Sequence, residues 1–306
     1  MKKKAFYFQS VILFLMLMFF VSACGETESP NAESPTKVPA ADDDPAAAAK
    51  MEDAKDITES QPAEPQPISF SASDGEALEG VFFPAERSDA PLIILFHWAP
   101  GDQLEWREIA YWLQNRDLGN VSGSNTQKPW LTPGWFPINS ESFNVFTFTF
   151  RNCEGGCKSF EREKWYRDVE GAVDFVQTMD LPGKQTILMV GASIGADGAV
   201  DGCAYANQTY SGICKGAFSL SPGNYLTLNY AEKVKELAPV PAMCLYAETD
   251  PESAAVCGSF SADNYTPIAY PGAAVFGNGH GMNLVEPDLD PNALDLLLDF
   301  MTSAVE

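Results

Sequence analysis

The sequence predicts an α/β fold in which a mostly parallel central sheet is flanked by helices. Three short apolar runs, Leu92–Phe96, Phe143–Phe150 and Ile187–Val190, have the length and continuity of strands buried on both faces of a sheet. Between them, Trp106–Leu113 and Trp165–Met179 carry apolar residues at helical spacing. Strands that alternate with helices are typical of parallel α/β sheets.

Shorter runs extend this pattern on both sides. The other predicted strands are Ile68–Ser71, Leu78–Phe83, Ala217–Leu220, Ala242–Ala247 and Ala273–Phe276, and the other predicted helices are Gly198–Ala206 and Leu294–Met301. Residues 114–142 interrupt the alternation and are too long for an ordinary helix–strand connection. Their closely spaced proline and tryptophan residues favour an insertion that forms the wall of a pocket. A simple surface loop is the alternative.

The charge balance excludes several classes of partner. The 306 residues include 42 acidic and 19 basic side chains, which gives a formal charge of −23. Nucleic-acid binding needs clustered Lys and Arg to neutralise phosphates, so we expect no nucleic-acid partner. Docking on an anionic membrane surface by charge is disfavoured for the same reason. A hydrophobic fraction of 45% argues against a wholly disordered chain.

The N-terminus has the pattern of an export signal. Three lysines, Lys2 to Lys4, precede the apolar run Val11–Val21, which is shorter than the roughly 20 residues of a membrane span. The sequence Ser22-Ala23-Cys24 at its end resembles a bacterial lipobox. We therefore predict that residues 1–23 are a lipoprotein signal peptide and that Cys24 is lipidated. The alternative is an ordinary secretory signal cut before a chance cysteine.

This interpretation places the protein in the cell envelope, lipid-anchored to a bacterial membrane and facing the extracytoplasmic side. Residues 24–67 are rich in acidic residues, Pro, Ala and Ser, and contain almost no large apolar side chains. Such a segment cannot bury enough surface to offset chain ordering, so we expect a disordered tether. Residues 68–306 then form the folded domain.

The domain carries an even number of cysteines, which suggests three disulfides in an exported protein. The six candidates are Cys153, Cys157, Cys203, Cys214, Cys244 and Cys257. Six cysteines allow 15 pairings, of which pairing between sequence neighbours is the simplest. No Cys-x-x-Cys pair and no nearby histidine match the spacing of a zinc site, so no metal is predicted.

The strongest chemical motif is Gly191-Ala192-Ser193-Ile194-Gly195, which directly follows a predicted buried strand and precedes a predicted helix. A strand that turns abruptly into a helix strains its turn residue, and only small residues fit two positions either side. The turn presents the Ser193 hydroxyl at a helix N-terminus, which favours developing negative charge. Ser193 is therefore the candidate nucleophile, ahead of a structural Gly/Ser turn.

A serine needs a base that removes its proton. His280 lies in the glycine-rich segment Gly277–Gly281 near the C-terminus and is the candidate base. A third residue must orient the imidazole. Asp250 follows the predicted strand Ala242–Ala247, where such a carboxylate belongs, and Glu248 is its less favoured rival because it lies closer to the strand.

The order Ser193, Asp250, His280 is the order of the α/β-hydrolases. Residues 68–304 resemble that superfamily, most closely the dienelactone-hydrolase-like and acyl-peptidase-like esterases. The resemblance rests on these three residues together with His97-Trp98 after the first apolar strand and Arg151 after the second. The fold that it implies is the α/β-hydrolase fold.

The resemblance implies hydrolysis through an acyl-enzyme, without a metal or organic cofactor. It assigns the oxyanion hole to the backbone N–H groups of Trp98 and Ile194, with His97 holding its loop by hydrogen bonds rather than acting as a base. Trp98 stands where the family commonly has glycine, so a narrowed acyl pocket is expected. The segment Asn152–Cys157 replaces the usual glycine-rich turn, and the cysteine nucleophile of dienelactone hydrolase itself is missing.

Taken together, the sequence predicts an exported, lipid-anchored serine hydrolase that cleaves carboxylic esters. Its predicted partners are a small acyl substrate and, through the N-terminal lipid, a membrane. A peptidase or thioesterase with the same triad is the nearest alternative. A non-catalytic envelope binding protein on a hydrolase scaffold is a second alternative, against which the complete Ser-Asp-His order argues.

Overall fold

The computed structural model describes residues 63–116, 142–226, 229–272, 274–275 and 277–306. Its strands are β1 (Gln66–Ser71), β2 (Ala77–Phe83), β3 (Leu92–Phe96), β4 (Asn144–Phe148), β5 (Ile187–Ala192), β6 (Cys214–Leu220), β7 (Ala242–Ala247) and β8 (Tyr265–Tyr270). Its α-helices are α1 (Arg107–Leu113), α2 (Arg162–Thr178), α3 (Ile194–Tyr210), α4 (Tyr230–Glu236), α5 (Pro251–Cys257) and α6 (Ala293–Val305).

The strands form one sheet in the order β1-β2-β4-β3-β5-β6-β7-β8. β2 pairs antiparallel with both β1 and β4, and every pairing from β4 through β8 is parallel. The predicted mostly parallel sheet is thus confirmed. Because the parallel strands all run in the same direction, the loops that follow β3, β5 and β7 lie at the same end of the sheet.

Two apolar cores, one on each face of the sheet, account for the continuous apolar strands. In β3, Leu92, Ile94 and Phe96 pack into the core beneath α2 and α3, whereas Ile93 and Leu95 pack into the core beneath α1 and α6. Since side chains of a strand alternate between faces, a strand covered on both sides needs apolar residues at every position. All five side chains of β3 are completely buried.

Several predicted boundaries are corrected. β1 begins at Gln66, two residues before the predicted start of the domain. The strand predicted at Ala273–Phe276 is wrong. The strand is Tyr265–Tyr270, and Ala274 and Val275 lie in a turn. Pro267 and the exposed positions of β8 obscure the strand pattern, and proline is tolerated there because β8 is an edge strand.

The cysteines are joined as sequence neighbours: Cys153 to Cys157, Cys203 to Cys214, and Cys244 to Cys257. The second bridge links α3 to the start of β6, and the third links β7 to the end of α5. The first closes a short loop that follows β4.

Other predictions fall on residues outside those described. They are the signal peptide at 1–23, the lipidation site Cys24, the tether at 24–67 as far as residue 62, and the insertion at 114–142 between residues 117 and 141. Among the helices of the described residues, none combines the length and apolar character needed to cross a bilayer.

Candidate active site

Ser193 occupies a sharp turn between β5 and α3. Its backbone has φ 54° and ψ −116°, a conformation that costs a residue with a side chain on the order of 1–3 kcal/mol. A Cβ atom at Gly191 would lie 1.9 Å from the carbonyl oxygen of Gly195, and a Cβ at Gly195 would lie 2.2 Å from that of Phe96. Both flanking glycines are therefore required by close backbone contacts, as the motif predicts.

The structure brings the three predicted triad side chains together. His280 Nε2 lies 2.7 Å from Ser193 Oγ, and His280 Nδ1 lies 2.6 Å from Asp250 Oδ2. These pairs are 87 and 30 residues apart along the chain. In such a hydrogen-bonded arrangement the serine hydroxyl can transfer its proton to the imidazole, while the carboxylate orients the ring.

Asp250 ends the loop after β7 and is the N-cap residue of α5. The Ser253 hydroxyl donates to Asp250 Oδ2 at 2.6 Å. Burial raises the pKa of the Asp250 carboxyl, but the hydrogen bonds from His280 and Ser253 outweigh burial, so the net pKa lies below its ordinary value. The rival Glu248 is exposed. The carboxylate beside the imidazole is thus Asp250, and it is held ionised.

Ser253 was not predicted as a site residue, although the sequence carries a signal for it. Aspartate followed by proline is a typical helix start, with aspartate as N-cap and proline at the first helical position. Asp250-Pro251 after a strand therefore indicates α5, and it places Ser253 in the first turn, facing the capping carboxylate.

Glycines also shape the loop that carries His280. Gly279 and Gly281 both have positive φ, 69° and 58°, which L side chains rarely adopt. A Cβ at Gly279 would lie 2.4 Å from the Ala247 side chain, and one at Gly281 would lie 2.8 Å from the Trp98 ring. The loop can therefore pass closely over the end of β7 and place the imidazole against Ser193.

The predicted oxyanion-hole residues lie next to this turn. Ile194 is the first residue of α3, so its N–H has no acceptor within the helix. Gly195 packs against the carbonyl groups of Phe96 and His97, which places the start of the Trp98 loop beside the Ser193 turn. The buried Trp98 ring contacts Gly281 and so occupies space beside His280.

His97 has a different environment from His280. It is completely buried; its Nε2 accepts from the Phe150 N–H at 2.9 Å, and its Nδ1 lies 2.7 Å from the Trp98 carbonyl oxygen. An accepting Nε2 leaves the proton on Nδ1, which donates to that carbonyl. Both ring nitrogens thus serve backbone groups and hold the loop, as expected from the sequence.

Arg151, like His97, makes structural contacts and is not part of the site. Its guanidinium pairs with the buried Asp168 of α2 and with Asp74 in the turn between β1 and β2. Its backbone N–H donates to Asp168 as well. Arg151 therefore ties the end of β4 to α2 and to the β1–β2 turn.

Two further residues near the site were missed. The buried Asp197 of α3 accepts at Oδ2 from the N–H groups of Gly223 and Tyr225, and burial raises its pKa to about 7. The Tyr225 ring stands edge-on to His280, 6.2 Å between centroids. Asp197 thus ties the loop after β6 to α3. An aspartate within a helix has no sequence feature that predicts this contact.

Among the described residues, no group of three or more His, Cys, Asp or Glu side chains is arranged to hold a metal ion.

Comparison with known structures identifies the architecture. The α/β hydrolase GrgF from Penicillium sp. sh18 superposes with a TM-score of 0.56 at 14% identity, over 79% of this chain and 99% of that one. The esterase Est22 superposes with a TM-score of 0.53 at 15% identity, over 78% and 80% of the two chains. The fold is that of the α/β-hydrolases. The predicted α/β-hydrolase fold is therefore confirmed.

Sequence comparison adds little to this result. An uncharacterized protein of Salmonella typhi, YfhR, is 23% identical over 214 residues, which are 62% of this chain. The match spans 65% of the length of that relative. No protein-family model matches the chain. The likeness to the α/β-hydrolases is thus one of fold.

The environment of His97 predicts an unusual titration. Burial lowers its pKa from 6.5 to about 4, so between these values the unfolded chain binds a proton that the folded chain does not. The contribution of His97 to stability is therefore complete above pH 6.5 and is lost as the pH falls towards 4, by about 3 kcal/mol at most.

The chain has only two histidines, so a His280→Gln variant leaves His97 as its single imidazole. In ¹H–¹⁵N correlation spectra of this variant, we expect a neutral ring protonated on Nδ1, with a titration midpoint near pH 4. A midpoint near 6.5, or a proton on Nε2, would contradict the buried hydrogen-bonding arrangement.

Proposed function

We propose that this α/β-hydrolase-fold protein is a serine hydrolase that cleaves carboxylic esters through an acyl-enzyme. One observation carries the proposal: a continuous hydrogen-bonded chain runs from Ser193 through His280 to the ionised Asp250. Ser193, the first member of this hydrogen-bonded series, lies in a strained turn that points its hydroxyl out of the sheet.

In the first half of the reaction, Ser193 Oγ attacks the ester carbonyl carbon while His280 Nε2 takes the hydroxyl proton. The carbonyl electron pair moves onto oxygen, where the N–H groups of Trp98 and Ile194 stabilise the oxyanion. The tetrahedral intermediate collapses, the C–O bond to the leaving group breaks, and His280 returns the proton to the departing alkoxide. The acyl group remains on Ser193.

In the second half, water attacks the acyl carbon while His280 takes one of its protons. The bond between the acyl carbon and Ser193 Oγ then breaks, His280 returns the proton to Ser193 Oγ, and the carboxylic acid leaves. Asp250 keeps the ring in the tautomer with its proton on Nδ1 and stabilises the imidazolium that forms. Ser253 supports Asp250 in this role through its hydrogen bond to Oδ2.

The surroundings of His280 favour a small ester. Trp98 contacts the neighbouring Gly281, and the Tyr225 ring stands 6.2 Å from the imidazole. Aromatic surfaces of this kind suit a compact apolar group. The solved structure of similar fold named Est22 is an esterase, which is consistent with this choice of substrate.

Replacement of the proposed nucleophile tests the function. Ser193→Ala removes the attacking oxygen, so we expect hydrolysis of p-nitrophenyl acetate to fall by about 10⁴-fold or more and labelling by a fluorophosphonate probe to disappear. His280→Gln is expected to cause a loss of similar size. The control is Ser69→Ala, a serine exposed on β1.

Unchanged labelling or turnover in Ser193→Ala would reject the assignment. A panel of peptide p-nitroanilides and thioesters, measured beside the esters, separates the alternatives that use the same triad. If wild-type protein neither reacts with the probe nor hydrolyses any of these substrates, the non-catalytic binding protein becomes the better account.

We further propose that the enzyme is exported and held on a membrane by lipid on Cys24. The support is the N-terminal signal and the three disulfides, which persist in oxidising compartments. Stable attachment needs two or more acyl chains, which lipoprotein processing supplies.

Expression of the full chain in a bacterium tests the anchor. Mass spectrometry of the N-terminal peptide should find a lipidated Cys24 as the first residue. Cys24→Ser should move the protein from the membrane fraction to the soluble fraction. An unmodified cysteine, or wild-type protein in the soluble fraction, would contradict the proposal.

A further inference from the structure

The short loop closed by Cys153 and Cys157 lies directly against residues 97–102, which we call the oxyanion loop because they include Trp98. The Cys157 N–H donates to the Ala99 carbonyl oxygen at 2.8 Å. The Gly155 N–H donates to Asp102 Oδ2 at 2.9 Å. These two hydrogen bonds join the loops on both sides of Pro100.

Between these hydrogen bonds, the backbone of the Cys153–Cys157 loop lies close to the backbone of the oxyanion loop. Gly156 has φ 110°, and a Cβ atom there would lie 2.9 Å from the Pro100 carbonyl oxygen. The first residue of the oxyanion loop is attached to the same segment, since His97 Nε2 accepts from the Phe150 N–H. The oxyanion loop thus contacts the segment around the disulfide at its start, middle and end.

The Cys153–Cys157 loop is itself well held. Cys153 is completely buried, and its N–H and carbonyl bond to Phe150 and Gly156 respectively. The disulfide closes the loop around Glu154, Gly155 and Gly156, two of which have positive φ. Without the covalent closure, a segment with two such glycines would have many more conformations available to it.

From these contacts we infer that the Cys153–Cys157 loop is a positioning element that keeps the Trp98 N–H in the oxyanion hole. The inference rests on the proposed serine hydrolase function. The disulfide restrains the loop, the loop restrains Ala99 and Pro100, and these residues set the position of the preceding peptide group.

A donor that stabilises an oxyanion acts in the transition state, so its displacement lowers kcat and kcat/KM together and leaves KM nearly unchanged. Complete loss of one such donor costs about 10²–10³ in rate. Loosening of its support is expected to cost less, on the order of 10-fold to 100-fold in kcat. Reduction of this disulfide would have the same effect.

The test compares two disulfide deletions in the full chain, Cys153→Ala/Cys157→Ala and the matched control Cys203→Ala/Cys214→Ala. The control bridge joins α3 to the first residue of β6, which is the end of that strand opposite the site, and its cysteines are 11 residues apart rather than 4. A longer closed loop stabilises more by chain entropy, so the control should lose more in Tm.

The two variants are therefore expected to separate activity from stability. Cys153→Ala/Cys157→Ala should lose about 10-fold to 100-fold in kcat on p-nitrophenyl acetate, with KM and the acid limb of the pH profile unchanged because the triad is untouched. The control should keep its kcat within about twofold. Gly156→Ala retains the disulfide but crowds Pro100, and it should lower kcat in the same way.

Several results would overturn the inference. They are a kcat within twofold of wild type in Cys153→Ala/Cys157→Ala, an equal loss of kcat in the control, or a shifted acid limb, which would indicate an effect on the triad. In each of these cases the wild type still shows turnover that depends on Ser193. Absence of that turnover, judged against Ser193→Ala, overturns the proposed function and this inference with it.

Discussion

At Ser193 the chain leaves β5 and begins α3, and there is no room for a side chain at Gly191 or Gly195. The rest of the site is arranged around this turn. The strained backbone is held because all of β5 is buried between β3 and β6, and because the Ser193 N–H donates to the Leu220 carbonyl at 2.8 Å. The surrounding sheet thus over-determines a conformation that would be unfavourable alone.

Three loops near this turn share one feature, since each is fixed by a buried polar side chain. The loop after β3 is held by His97, which bonds to Phe150 and to the Trp98 carbonyl. Asp250 is held by Ser253, and the loop after β6 is held by Asp197. Because buried polar groups are costly when unpaired, these bonds favour one arrangement of each loop.

The sequence predicted the elements whose pattern is set by local chemistry. β3 was predictable because both of its faces are covered, and the turn at Ser193 because its glycines are required by backbone contact. The short helices α4 and α5 and the edge strand β8 were missed or displaced, since brief elements and an exposed strand with a proline carry weak periodicity. Asp197 could not be assigned a role from the sequence, because its contacts depend on how the loop after β6 packs against α3. Ser253, by contrast, follows from the helix start at Asp250-Pro251, three residues before it.

The most direct test of the acyl-enzyme mechanism is to trap its intermediate. The wild-type protein would be mixed with p-nitrophenyl acetate, quenched in acid within the first turnovers, digested, and analysed by mass spectrometry. The account predicts an acetyl group on Ser193 in the wild type. A turnover-competent protein with no acetylated peptide, or with the acetyl group on another residue, would contradict it.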